Sequence, residues 1–299
     1  MCKKLTTLFI VVIITINSFG QALNPIVNYK HYIENEEVIS ENKLNARASF
    51  TSYTTVEDAL TFSNHRAQFH QLLDGQWKFN WTRSPKERPI TFMDPNENID
   101  NWDSIKVPAN WEVEGFGIPI YVNHQYEFAD YKAPVAEDME LIDRVYPKSP
   151  GDVPDNYNPV GSYRREFNLD ANWLENEIFI HIGAMKSGGF IWVNGEYVGY
   201  SQGSKLPSEF NITNFAKEGK NTIALQIFRW TDGSYLECQD FWRISGIERS
   251  IFVYAQPKLR IEDFNVVASL DKAYENGIFE LDVDIQNHSF SIKKFSLFF

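Results

Sequence analysis

Cysteine is scarce in this 299-residue chain, which has only Cys2 and Cys238. Cys2 falls in an N-terminal segment expected to be removed, so Cys238 stands alone and no internal disulfide is possible even in an oxidising compartment. No stretch reaches eighteen uncharged apolar residues; the mostly apolar run Leu5–Ile16 is too short to span a bilayer. Helical periodicity is weak throughout, which argues against a helix bundle. The six histidines show no metal-ligand spacing. Basic charge is also in deficit, with 28 Lys and Arg against 40 Asp and Glu. Removing Met1–Gly20, which holds Lys3, Lys4 and no acid, leaves 26 against 40, a net charge of −14. Such a surface repels phosphate backbones, and no basic aromatic cluster offsets it, so nucleic acid is excluded as an expected partner.

The N-terminus has the layout of an export signal. Lys3 and Lys4 precede the apolar run, and Asn17-Ser18-Phe19-Gly20 puts small residues at the −3 and −1 positions. Residues 1–20 are therefore expected to be cleaved, with Gln21 first in the mature chain; the competing reading is a buried N-terminal helix. A lipid anchor would need a cysteine at Gln21. The expected product is soluble, exported to the periplasm or the medium, and has no membrane segment after cleavage.

What is abundant is aromatic. Eight Trp, 14 Tyr and 23 Phe make up 15% of the chain. Such content suits either an aromatic β core or a sugar-binding surface, and composition does not separate them. Residues 21–71 read as an irregular, partly acidic segment with a short helix near Val56–Leu60. From Leu73 the texture changes to short alternating runs. Gln76–Trp81, Ser162–Leu169, Ile178–Ile182, Thr222–Phe228 and Ser250–Tyr254 have the period-two pattern of half-buried strands. Phe190–Val193 and Glu196–Val198 flank Asn194-Gly195, a pair that accepts the positive φ angles of a type I′ hairpin. Between strands lie long loops, with seven prolines from Pro108 to Pro159. The expectation is an all-β sandwich or jelly roll over 72–256 with elaborate loops. After Pro257 a new alternation begins. Ile278–Ile285 is a strict period-two strand, and Lys293–Phe299 reads as the start of another, so 257–299 is expected to open a second, truncated β-sandwich.

Three segments point to a family. The first is Leu72-Leu73-Asp74-Gly75-Gln76-Trp77-Lys78-Phe79, continued by Val107–Glu112 and Gly117–Asn123. The second is Trp192–Gln202 followed by Leu206–Phe210. The third is the long run from Arg229-Trp230-Thr231-Asp232-Gly233 through Cys238-Gln239-Asp240-Phe241-Trp242-Arg243 to Ile247. Together they resemble the N-terminal sugar-binding jelly roll of β-galactosidases in glycoside hydrolase family 2, from about Leu72 to Tyr254. More loosely, the likeness runs into an immunoglobulin-like β-sandwich up to Phe299.

The resemblance implies that Asn123 reaches galactose hydroxyls, and that Asp240 binds the sugar and helps hold a sodium ion. A carboxylate accepts from vicinal hydroxyls and suits a hard cation, while a carboxamide both donates and accepts. Structural alternatives are an Asx turn for Asn123 and an ion pair with Arg243 for Asp240. The resemblance also points to magnesium at Asn24, Val27, Gln202 and Asp232, although the acidic partner expected before Asn24 is replaced by Gln21. Trp77, Trp111 and Trp192 are expected in the sandwich core. Arg229 and Arg243 are expected to tie loops by bidentate carboxylate pairing. His124 and Cys238 read as loop and packing residues.

In this family the two catalytic carboxylates belong to a (β/α)₈ barrel that this chain lacks. The chain is thus expected to be the front of a secreted β-galactosidase, its partners a β-galactoside and the missing C-terminal barrel, the parent enzyme a candidate homo-oligomer. The alternatives are a free-standing carbohydrate-binding module, a fragment that docks on a separately encoded barrel, and a structural adhesin. The purified 299-residue chain, free of host enzyme, should release no nitrophenol from a nitrophenyl β-galactoside; clear turnover would refute that expectation.

Overall fold

Along the strand Gly219–Phe228, Ile223, Leu225 and Ile227 turn to one face and Ala224 and Phe228 to the other, and all five are buried. Its neighbour Gly188–Val193 repeats the pattern, with Ile191 and Val193 on the first face and Phe190 and Trp192 on the second. These strands form the middle of a sheet that is dry on both sides.

The computed structural model describes residues 24–122, 126–128, 151–237, 239–289, 291–294 and 296. The segment expected to be an export signal, Gln21, Asn123, His124 and Cys238 lie outside the described residues. A seven-stranded sheet runs in the spatial order Ser40–Glu41, Glu196–Gln202, Gly188–Val193, Gly219–Phe228, Val160–Leu169, Gly75–Thr82, Asp103–Val107. The facing sheet has four strands, in the order Ser208–Asn211, Glu177–Ile182, Ile251–Gln256, His70–Leu72. The ladders within both sheets are antiparallel. This is the jelly-roll sandwich that the sequence predicts, and each period-two run of residues 76–254 named above lies in a strand, apart from Ser250, which precedes the strand Ile251–Gln256. The Asn-Gly hairpin forms as expected, with φ of 53° at Asn194 and 89° at Gly195. The short helix appears as Val56–Ala59, capped by the Thr55 hydroxyl, which accepts from the Asp58 N–H at 3.1 Å.

Two apolar clusters hold the fold. The first fills the space between the sheets and includes Trp77, Phe79, Trp111, Tyr163 and Ile180. The second covers the outer face of the large sheet, where Phe190, Trp192, Tyr200 and Phe228 meet Tyr32, Phe92, Phe128 and Tyr157. Trp192 therefore sits outside the inter-sheet core expected for it. The layer above it is made of irregular chain, and arginines fasten that layer. Arg88 stands over the Tyr29 ring at 4.3 Å and donates to Gln226 Oε1 at 3.0 Å and to the Ile26 carbonyl. Arg164 donates to the carbonyls of Glu97 at 2.9 Å and Pro95 at 2.6 Å. These bonds satisfy backbone that burial would otherwise leave unpaired.

Past Pro257 the chain forms an antiparallel ribbon, Leu259–Leu270 with Gly277–Asn287, the expected opening of an immunoglobulin-like sandwich. Arg260 ties it to Glu177, and Phe50 meets Phe264 at 5.7 Å. The strand expected over Lys293–Phe299 does not form at Lys293, Lys294 or Ser296, and its other residues lie outside the described ones.

Space, rather than backbone angle, dictates Gly161. A Cβ there would lie 2.6 Å from Trp111 Cζ3 and 2.9 Å from Phe79 Cε2, both in fully buried rings. Gly161→Ala should lower the unfolding free energy by about 1–3 kcal/mol through overpacking, read as a lower urea midpoint at unchanged m-value.

Candidate functional site

A short two-stranded ladder carries the site. Ile120–Val122 pairs with Phe241–Arg243 in the register Val122 to Phe241, Tyr121 to Trp242 and Ile120 to Arg243. Strand alternation buries Ile120 and Arg243 and turns Tyr121 and Trp242 outward, 43% and 55% exposed, with ring centroids 5.7 Å apart. The Tyr121 hydroxyl donates to Asp240 Oδ1 at 2.7 Å. That bond pushes the phenol above the ordinary tyrosine range, because the carboxylate favours its protonated form. Asp240 itself is exposed. Asn123 follows Val122, the residue paired with Phe241, and Phe241 follows Asp240. The two segments that carry the expected sugar contacts are therefore neighbours in one ladder.

Four charges lie beneath it. Arg229, Lys186, Glu112 and Glu127 all have side chains no more than 2% exposed. Arg229 Nη1 is 3.3 Å from Glu112 Oε1, and its Nε is 3.6 Å from Glu127 Oε2. Lys186 bonds Glu127, whose second oxygen accepts from the Trp230 indole at 2.6 Å. Glu112 Oε2 accepts from the Ser245 N–H at 2.7 Å. Two cations balance two anions. Burial alone would push the Glu127 carboxyl up, but Lys186 and Arg229 outweigh it and hold the group below the usual carboxylate range. Glu112 goes the other way: burial pushes it up, and Arg229 offsets that only in part. Burial likewise works against the Arg229 charge, and the two carboxylates more than compensate.

The expected loop-tying role of Arg229 is met in a different form from a fork on one carboxylate. Its guanidinium divides between two acids and donates to two carbonyls, of Ile118 at 2.9 Å and Arg243 at 3.0 Å. Arg243 in turn donates to the Glu237 carbonyl at 2.7 Å. Glu112, Glu127, Lys186 and Tyr121 were not singled out from sequence. Glu127 and Lys186 are 59 residues apart, a separation with no pattern to read.

Of the residues expected at magnesium, Gln202 and Asp232 come together. Gln202 Nε2 donates to Asp232 Oδ1 at 2.7 Å and to the Tyr32 carbonyl at 3.1 Å. Burial pushes the Asp232 carboxyl up, and its Oδ2 is a buried acceptor with no hydrogen-bond donor. Such an oxygen fits a hard cation. Asn24 Oδ1 instead accepts from the Ile26 N–H at 2.9 Å, and Val27 is 71% exposed. Among the described residues no group of three His, Cys, Asp or Glu side chains is placed to hold a metal.

Two cavities open among the described residues. One of 180 Å³ is lined by residues 203–206, Glu237, Gln239 and Phe241, with Lys186 at its wall. A larger one of 440 Å³ lies away from the ladder, under the extended segment 43–52. There Glu209 already accepts from Tyr254 at 2.9 Å and pairs with Arg47 at 3.1 Å and His181 at 3.0 Å. That larger cavity is read as a strap packed over a sheet face.

Comparison with known proteins agrees with the fold. Residues 70–257 match the family described as "Glycosyl hydrolases family 2, sugar binding domain". The chain is 38% identical over 264 residues to a β-galactosidase of Priestia megaterium, covering 88% of this chain and 24% of that protein. It is 38% identical over 227 residues to a β-galactosidase of Vibrio cholerae, covering 76% of this chain and 20% of that protein. The chain thus spans about a quarter of the length of the curated relatives it matches. Among solved structures, a Bacteroides uniformis β-glucuronidase superposes with a TM-score of 0.53 at 19% identity, over 74% of this chain and 22% of that one. At that identity the likeness bears on the fold alone. The chain belongs to glycoside hydrolase family 2, and what it carries is that family's sugar-binding domain.

Proposed function

We propose that this chain is the sugar-gripping front of an exported β-galactosidase, with Asn123 and Asp240 contacting galactose hydroxyls. The observation that carries the reading is the Ile120–Val122 and Phe241–Arg243 ladder, which sets the segments of both residues side by side beneath an exposed Tyr121 and Trp242. A carboxylate flanked by outward aromatic rings matches a ligand that is half hydroxyl and half C–H surface. The β-galactosidase relatives supply the choice of sugar. Export rests on the Lys3-Lys4 and Leu5–Ile16 pattern.

Neither Glu112 nor Glu127 is read as a catalytic carboxylate. A retaining glycosidase needs two carboxyl groups about 5–5.5 Å apart across the scissile bond. Glu112 and Glu127 are buried and spent on Arg229 and Lys186. The reaction is therefore assigned to a barrel that this chain would meet. Sodium is assigned to Asp240 within the complete enzyme. Magnesium is assigned to Asp232 beside Gln202, on the strength of the unpaired Asp232 oxygen.

In the enzyme that contains this chain, Asn123→Ala and Asp240→Ala should each lower kcat/KM for a nitrophenyl β-galactoside on the order of 100-fold, the worth of hydrogen bonds to a charged or buried polar group. An Asp240→Ala enzyme that stays within about threefold of the parent, at unchanged melting temperature, would overturn the assignment. Millimolar magnesium should raise the melting temperature of the 299-residue chain, and Asp232→Asn should abolish the rise.

A further inference from the structure

We infer that Arg229 is the positioning residue of this site: one buried guanidinium fixes both the chain that leads into Asn123 and the chain that leaves Asp240. The inference rests on the sugar-site reading above and adds the residue that makes its geometry.

Arg229 directly follows the strand Gly219–Phe228, which is paired on both sides in the large sheet, and its own N–H donates to the Pro159 carbonyl at 2.9 Å. The side chain therefore starts from backbone held on both sides. Its two terminal nitrogens separate, one to the Ile118 carbonyl and the other to the Arg243 carbonyl. Ile118 lies two residues before the strand Ile120–Val122, and Arg243 is opposite Ile120 in the ladder. One planar group thus holds the two strands together at the end opposite Asn123 and Asp240. Beyond Asn123 the chain is caught again at Glu127, which contacts Arg229, Lys186 and Trp230. Lys186 is itself paired across to Gly246, three residues past Arg243. Val122 and Glu127 thus both belong to segments held by one electrostatic unit.

Stability alone is a poor reason for such a unit. Replacing buried ion pairs by apolar groups is often neutral or stabilising, because desolvating each charge is costly. What an apolar cluster lacks is a fixed fork that reaches two carbonyls on different strands. Lysine keeps the charge and loses that fork.

The test uses the 299-residue chain and no sugar. Exchange of the amide hydrogens of Ile120–Val122 and Phe241–Arg243, followed by NMR, reports whether the two strands stay paired. Arg229→Lys should speed exchange in this ladder on the order of tenfold, while the Leu259–Leu270 and Gly277–Asn287 ribbon keeps the parent rates. Arg47→Lys, in the strap over the other sheet, should leave the ladder unmoved. If Arg229→Lys fails to fold, the charge-balanced pair Arg229→Met with Glu112→Gln gives the same readout. Unmoved ladder exchange in a folded Arg229 variant, or an equal change in Arg47→Lys, overturns the inference. Failure of the galactoside reading shows elsewhere, as unchanged kinetics in the Asn123 and Asp240 variants.

Discussion

The large sheet is covered on both faces, and most of the remaining structure answers to that constraint. From Asn221 to Phe228 the strand Gly219–Phe228 has no wet side, so the polar groups it carries there need internal partners. Gln226 shows how this is met. Its amide donates to Ser162 Oγ at 3.0 Å and to the Pro89 carbonyl at 3.0 Å, while its oxygen accepts from Arg88. The irregular chain at 85–102 is thereby a structural lid, locked by side chains that project from the sheet. The same logic places Asn158, fully buried, with its amide on the Trp230 carbonyl at 3.0 Å and its oxygen on the Trp230 N–H at 2.9 Å.

The strands were legible because alternation is written into consecutive residues. Gln76–Trp81, the Asn194-Gly195 hairpin and Thr222–Phe228 each declare their own conformation. The second apolar layer was not legible, and Trp192 shows why. Period two says that Trp192 and Val193 face opposite ways, but not that both faces are dry. The covering residues Phe92 and Tyr157 come from aperiodic chain and Tyr32 from the one-turn helix Lys30–Ile33, too short to show a pattern that announces burial. The site divides in the same way. The ladder neighbours of Asn123 and Asp240 come from segments that stand out as motifs. The charges beneath them are spread from Glu112 to Arg229, and only the fold assembles them.

Within that assembly the two acids are unequal. Glu127 has a lysine, an arginine and an indole around it and stays firmly ionised. Among the described residues Glu112 has Arg229 and the Ser245 N–H as partners, and its Oε1 has no hydrogen bond there beyond the 3.3 Å ion contact. Burial therefore prevails at Glu112 and loses at Glu127, although both face the same guanidinium. The difference follows from the count of donors rather than from depth, since both side chains are almost fully enclosed.

Trp242 gives the molecule an optical reporter of its own. Of the eight tryptophans, the other seven are buried or partly so, in sheets and their covering layers; Trp242 alone is mostly exposed, and its ring lies beside Tyr121 within two residues of Asp240. Indole emission moves to longer wavelength with hydration, so the red edge of this protein's fluorescence comes chiefly from one residue. Selective excitation there would view the ladder against a background that the enclosed indoles keep blue.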